Sequence, residues 1–274
     1  MSTLKALLVH IDSSPRAAVR LKLAEQLALA HGAQATAAYA VTSALLRYPM
    51  AMAAGADMAP MLAEVDTQRI EAARKLFAAS VDRSHVAWRE LGGPPIAEFT
   101  REALFADLLV LGQRAADETR DVDVPADFVS SVLIDSGRAA IVLPHILSAP
   151  PRLDRVLVAW KPTREAARAV TAALPLLLQA SQVTVVGFDE GDSAGGAEPG
   201  ILAYLRQHGV QAGFKRQVAS GPDVGGQLLS LAADDQADLL VMGCYGHGRA
   251  REWVLGGVTR TVLQSMTIPV LMSH

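Results

Sequence analysis

One seven-residue phrase is written twice in this chain. Ala-Asp-Leu-Leu-Val-Leu-Gly at 106–112 returns as Ala-Asp-Leu-Leu-Val-Met-Gly at 237–243, 131 residues further on. Gly93-Pro94 returns in the same way as Gly221-Pro222. Self-similarity on this scale makes a chain two copies of one folding unit and sets the architecture before any local propensity does. Each copy opens on a short apolar stretch, at 6–11 and at 156–160, followed by turn or cap residues and an Ala/Leu-rich segment of helical period. A prolyl joint, Ser148-Ala149-Pro150-Pro151, separates the copies, so domains are expected at 1–148 and 152–274.

Within each copy apolar runs alternate with helical periods. Strands are expected near 5–11, 34–41, 85–91, 107–112 and 139–143, with helices near 15–31, 60–80, 94–104 and 127–137. The second copy repeats the order, with strands near 154–160, 182–188, 211–218, 238–243 and 268–273 and helices near 163–180, 198–208, 222–235 and 256–266. Ser14 reads as an N-cap, Pro15 suits the first helical turn, and Gly32 is a stop. Nearly continuous apolar strands alternating with helices imply an α/β fold, a parallel sheet covered on both faces. Such sheets bind ligands beyond the carboxyl ends of their strands, where strand order reverses. The chemistry is therefore expected in the loops after the first and fourth strands of each copy.

Composition removes several classes. Hydrophobic residues make up 51% and charged residues 19%, enough apolar surface to bury a core. The net charge of −3 argues against nucleic acid as a partner. Cys244 stands alone, so no internal disulfide forms and a reducing cytoplasm is the expected setting. No run reaches the ~20 apolar residues of a membrane span. His10 and Asp12 interrupt the apolar start, so no signal peptide is expected.

The two copies differ most after the fourth strand. In the second copy Gly243 and Gly246 lie three apart, nine residues follow, and Gly256-Gly257 opens a helix through Val258 and Thr259. Glycines permit positive φ and close backbone approach, and a helix N-terminus offers free N–H groups to an anion. His247, Arg249, Arg251 and Arg260 add donors nearby. The bland alternative is that these glycines only make tight turns.

The repeat, the strand–helix order and this glycine spacing resemble the universal stress protein family, over essentially the whole chain as two tandem copies. The resemblance implies two five-stranded parallel-sheet domains, doubly wound in a Rossmann-like manner and packed as a pseudo-dimer through their last strands. It implies ATP as the ligand of one subset of the family. Carried over residue by residue, the ligand-binding positions are Phe188, Met242, Gly243, Gly246, Gly256, Gly257, Val258 and Thr259. Two departures stand out. Gly257 replaces the family's Ser or Thr, and Lys161 replaces the Asp that ends its first strand. An ammonium has no acceptor for a ribose hydroxyl.

The first copy keeps that carboxylate as Asp12, with Ala40 on its adenine side, but its loop has lost the glycines. Ala115 stands for the second one, and Asp127-Phe128-Val129-Ser130 aligns with Gly256-Gly257-Val258-Thr259. Asp117, Glu118, Asp121, Asp123 and Asp127 make this loop acidic, read as a solvated face that repels phosphate.

Other features carry less. Cys244 reads as a small apolar filler. Met50, Met52, Met58 and Met61 form a segment without helical period up to Pro60, read as a loop more mobile than the strands. The histidines show no metal-ligand spacing, and neither a nucleophile elbow nor a P-loop is present. The expected function is a stress-response regulatory protein holding ATP or a related nucleotide in the second copy, with slow ATP hydrolysis at most. The alternative is a nucleotide-independent protein-interaction module of the same fold. Expected partners are a nucleotide or small anion, other proteins and a second copy in a homodimer, with neither nucleic acid nor membrane among them.

Overall fold

The apolar phrase repeated in the sequence becomes the centre of each sheet. In the computed structural model, which describes residues 4–48, 58–114, 123–189, 200–218, 223–246 and 257–274, the chain divides into two bodies. The first comprises 4–136 with 147–150, and the second comprises 137–146 with 151–274.

In the first body the strands are β1 (Ala6–Ile11), β2 (Gln34–Tyr39), β3 (Val86–Glu90) and β4 (Leu108–Gly112), in the order β3-β2-β1-β4. All its registered pairs are parallel, with Leu7, Leu8 and Val9 opposite Leu108, Leu109 and Val110. The helices are α1 (Ala17–His31), α2 (Ala44–Arg47), α3 (Met58–Ser80), α4 (Pro95–Ala103) and α5 (Phe128–Ser136). α1 packs on α3, and α4 packs on α5, with α1 and α4 both against β1. The chain runs outward from β1 to β3 and returns on the other side of β1 as β4. That reversal opens a crevice at the carboxyl ends of β1 and β4.

The second body repeats the plan with β6 (Arg155–Trp160), β7 (Gln182–Asp189), β8 (Gly213–Val218), β9 (Leu239–Gly243) and β10 (Val270–Ser273), and adds β5 (Ala140–Leu143). Its order is β5-β10-β9-β6-β7-β8. Val156, Leu157 and Val158 lie opposite Leu239, Leu240 and Val241, so the reversal falls between β6 and β9. The helices are α6 (Arg164–Leu177), α7 (Gly200–Gln207), α8 (Val224–Asp234) and α9 (Gly257–Ser265). β5 comes from the first copy of the repeat yet pairs with β10, antiparallel, with Ile141 facing Leu271. Both terminal strands are fully buried, as the expected meeting of the two last strands requires.

The elements follow the sequence closely, with three differences. Ser14 is not the cap of α1. Its hydroxyl donates to Asp12 at 2.7 Å, a turn runs through Pro15, and the helix begins at Ala17 with no side-chain cap bond. α2 is a short helix that the sequence did not announce; the Ser43 side chain caps it by accepting from the Leu46 N–H. Met58 already belongs to α3, so Pro60 lies in a first turn, where its missing N–H costs nothing. The rest of the expected mobile methionine segment, 49–57, lies outside the described residues. Gly32 does end α1, at φ +59, with its N–H on the Ala28 carbonyl. No helix among the described residues is long and apolar enough to cross a membrane.

Leu271→Ala is expected to cost the second body about 2–5 kcal/mol, the range for emptying a packed leucine site. Urea unfolding followed by circular dichroism should show the midpoint of that body falling.

Candidate functional site

The second-body crevice is a cavity of about 520 Å³. Trp160 and Lys161 reach it from the end of β6, Phe188 from β7, Met242 and Gly243 from β9, and Leu228 from α8. Gly246, Gly257, Val258 and Thr259 complete the walls. All the expected ligand residues therefore converge here except Gly256, which lies outside the described residues, as do His247, Arg249 and Arg251. Arg260 is exposed on α9. Sequence reasoning missed Trp160, Tyr245 and Glu165. A Thr followed two residues later by an acid was the available signal for Glu165. It marks an N-cap and a carboxylate in the first helical turn, and Thr163 is indeed the cap of α6, accepting from Ala166 N.

The glycines act by closeness rather than by backbone sign. Neither Gly243 nor Gly246 has positive φ; among the described residues of the loop the left-handed one is Tyr245, at φ 56. A Cβ on Gly243 would lie 2.5 Å from the Ala166 nitrogen and 2.7 Å from the Glu165 carbonyl carbon. A Cβ on Gly246 would lie 3.0 Å from Glu165 Oε2. The loop is thus shaped by the first turn of α6. Gly257, the first residue of α9, differs: among the described residues a Cβ there would meet nothing within 4 Å. Tyr245 N–H donates to Thr259 Oγ1 at 3.5 Å, which sets the loop beside the opening of α9.

Glu165 is buried, and its Oε1 accepts from Arg164 Nε at 2.5 Å. Burial pushes its pKa up, but the Arg164 bond, the helix-start N–H, Thr163 and the Arg164 charge outweigh burial and hold the carboxyl below its usual value. Cys244 is buried with its N–H on the Ser273 carbonyl, and burial together with the Glu165 charge pushes its thiol up to about 12. It is the inert filler expected.

The first-body crevice is smaller, about 290 Å³, and its lining side chains are engaged with one another. Phe128 opens α5 as Gly257 opens α9, and its ring lies 4.2 Å from that of His10. Arg20 donates to the His10 carbonyl, pairs with Asp12 at 2.8 Å and occupies the space beside Gly112. Asp12 also accepts from Ser14 N at 2.9 Å. Asp123 departs from the expected solvated loop. It is buried, accepts from Ser13 Oγ at 2.5 Å, and takes the Thr42 N–H on its carbonyl. Burial, with Asp12's charge adding, raises its pKa despite the Ser13 bonds. Asp127 is exposed, while Ala115, Asp117, Glu118 and Asp121 lie outside the described residues. Asp12 itself titrates low, because Arg20, His10 and Ser14 outweigh the upward push of burial. Among the described residues no group of three or more His, Cys, Asp or Glu could hold a metal ion.

The universal stress protein family model matches residues 152–274. Residues 152–274 belong to the universal stress protein family. The universal stress protein domain therefore coincides with the copy that keeps the glycine loop. Over the whole chain the fold is that of a universal stress protein from Archaeoglobus fulgidus, with a TM-score of 0.71, 14% identity, and coverage of 98% of this chain and 97% of that one. A functionally unknown protein from Pseudomonas aeruginosa PAO1 also matches, with a TM-score of 0.58, 12% identity, and coverage of 98% and 92%. Among curated proteins none matches the sequence.

Two expectations follow. Gly243→Ala should destabilise the universal stress protein domain by about 1–3 kcal/mol, since its methyl meets backbone that cannot yield, whereas Gly257→Ala should lose none of its stability to crowding. Denaturant midpoints of the two variants compare them directly. The second concerns His10 in the first body, whose pKa falls from 6.5 to about 4 through burial, with Arg20 adding to the effect of burial and Asp12 and the Ala40 carbonyl opposing it. The unfolded state then binds the extra proton between those pH values, so stability falls as pH falls through that window. Between pH 7 and 4.5 the loss from this group is about 2 kcal/mol. Asp123 acts with the opposite sign in wild type and variant alike, so His10→Gln should flatten the difference when unfolding free energy is measured against pH.

Proposed function

We propose that this protein is a stress-response regulatory module that binds ATP or a related adenine nucleotide in the second-body crevice, and that it is not a dedicated catalyst. The observation that carries the reading is the meeting, in one cavity, of two half-buried aromatics and two buried aliphatic side chains with a helix start that no described atom crowds. Trp160, Phe188, Leu228 and Met242 suit the faces of a purine, and Gly257 leaves the first N–H groups of α9 approachable by a phosphate. Thr259 supplies a hydroxyl from the same turn. Glu165, held low by Arg164, is a weak base, which supports binding over hydrolysis. The first-body crevice is read as holding no nucleotide, because it is smaller and its lining groups Arg20, Asp12, Ser13 and Asp123 are already bonded to one another. A single buried cysteine suits the reducing cytoplasm.

A second reading, a nucleotide-independent interaction module, is favoured by one observation. The close approach of α6 already accounts for Gly243 and Gly246 without any ligand.

Calorimetry of the full chain with ATP separates the two. Binding is expected in wild type, unchanged in Asp12→Ala. It should tighten in Gly257→Ser, where a hydroxyl meets no described atom, by about ten- to a hundred-fold, the worth of one hydrogen bond to a charged oxygen. Absence of ATP binding in all three proteins would favour the interaction module. Gly246→Asp is a poor probe, because the new carboxylate would sit against Glu165 whether or not a ligand binds.

A further inference from the structure

Glu165 stands at the phosphate end of the crevice, and the nucleotide reading gives it no contact with the ligand. Its Oε2 lies 3.0 Å, and its Cδ 3.4 Å, from the point where Gly246 would carry a Cβ. The residue is only 3% exposed. The Tyr245 N–H to Thr259 hydroxyl contact brings that loop beside the first turn of α9, so phosphates extending from the α9 N–H groups toward Gly246 approach this carboxylate. Arg164 offsets only part of this charge: its Nε engages Oε1, while Oε2 is the oxygen against Gly246 and the rest of the guanidinium reaches solvent, the Arg164 side chain being 70% exposed. Thr163 caps α6, and Glu165 itself faces the N-terminal dipole, so the carboxylate is fixed in place rather than free to swing away.

We infer that Glu165 is a charge-selecting residue, which makes this crevice take adenosine or its monophosphate in preference to free triphosphate and take the triphosphate as its complex with a divalent cation. The inference rests on the nucleotide reading above. Two negative charges held a few ångströms apart in a partly desolvated cleft repel far more strongly than in water. Each added phosphate brings more charge toward Glu165, whereas the base and ribose bring none. A divalent cation on the phosphates removes the conflict and can be shared with the carboxylate oxygens. Gln at this position keeps the shape and the bond from Arg164 while removing the charge.

The test is calorimetric titration of the full chain with adenosine, AMP and ATP, each in EDTA and in excess magnesium. In wild type and EDTA, ATP should bind at least about ten-fold more weakly than AMP, and magnesium should restore it. Glu165→Gln should bring ATP and AMP within about three-fold in EDTA and leave adenosine unchanged. Glu165→Asp, which keeps the charge one methylene further back, should retain most of the discrimination. Adenosine binding together with ATP as tight as AMP in metal-free wild type, or an unchanged ratio in folded Glu165→Gln, would overturn the charge selection alone. Failure of all three ligands to bind either protein would overturn the nucleotide reading and the selection with it. If the Gln variant does not fold, the wild-type comparison with and without magnesium decides the matter.

Discussion

The first turn of α6 presses so closely on the end of β9 that position 243 can carry no side chain. Much of the second body depends on that contact. It fixes where α6 starts, and so where Thr163 caps it and where Glu165 is buried. It also fixes the path of the chain leaving β9, which is held a second time by Cys244 on the Ser273 carbonyl. With strand and helix locked together, the crevice between β6 and β9 has a rigid floor. Its opposite wall is the start of α9, where Gly257 has no described atom crowding it. Rigid floor and uncrowded helix start are what a binding site on a doubly wound sheet requires.

The two copies solve the same crevice differently, and the difference comes down to a few side chains. Where the second copy has Gly257, the first has Phe128, whose ring closes on His10 and Phe99. Where the second copy has Ala169 behind the first strand, the first has Arg20 reaching under Gly112 to Asp12. The groups that could have met a ligand in the first body meet one another instead. Buried charge survives there because Asp12 and Arg20 are paired and both are hydrogen-bonded, the condition under which burying charge is tolerable.

Element order was legible because the central strands β1, β4, β6 and β9 are nearly continuous apolar runs and most helices keep their period, so tertiary context had little to override. The location of the crevice was legible for a topological reason: it follows from strand order alone. What escaped was anything that depends on two segments touching. Gly243 and Gly246 were visible as glycines, but that their space is taken by Glu165 is a fact about α6 meeting the loop. Asp123 looked like one acid in an acidic run, and only the fold reveals that Ser13 and Thr42 draw it inside. Ser14 looked like a cap because its chemistry suits one, yet Asp12, two residues earlier, competes for its hydroxyl.

The pairing of β5 with β10 separates two boundaries that are easily treated as one. The repeat in the sequence places the expected join between the copies near the prolines at 150 and 151. The compact second body begins earlier, at 137, because it needs a strand encoded by the other copy. A gene cut at the repeat boundary would therefore yield a domain whose β10 has lost its neighbour and presents Val270, Leu271 and Met272 along a bare edge. The β5–β10 pair ties the two copies to one another. Either copy can then change its crevice, as the first has done, while neither can be shed without exposing the other's edge.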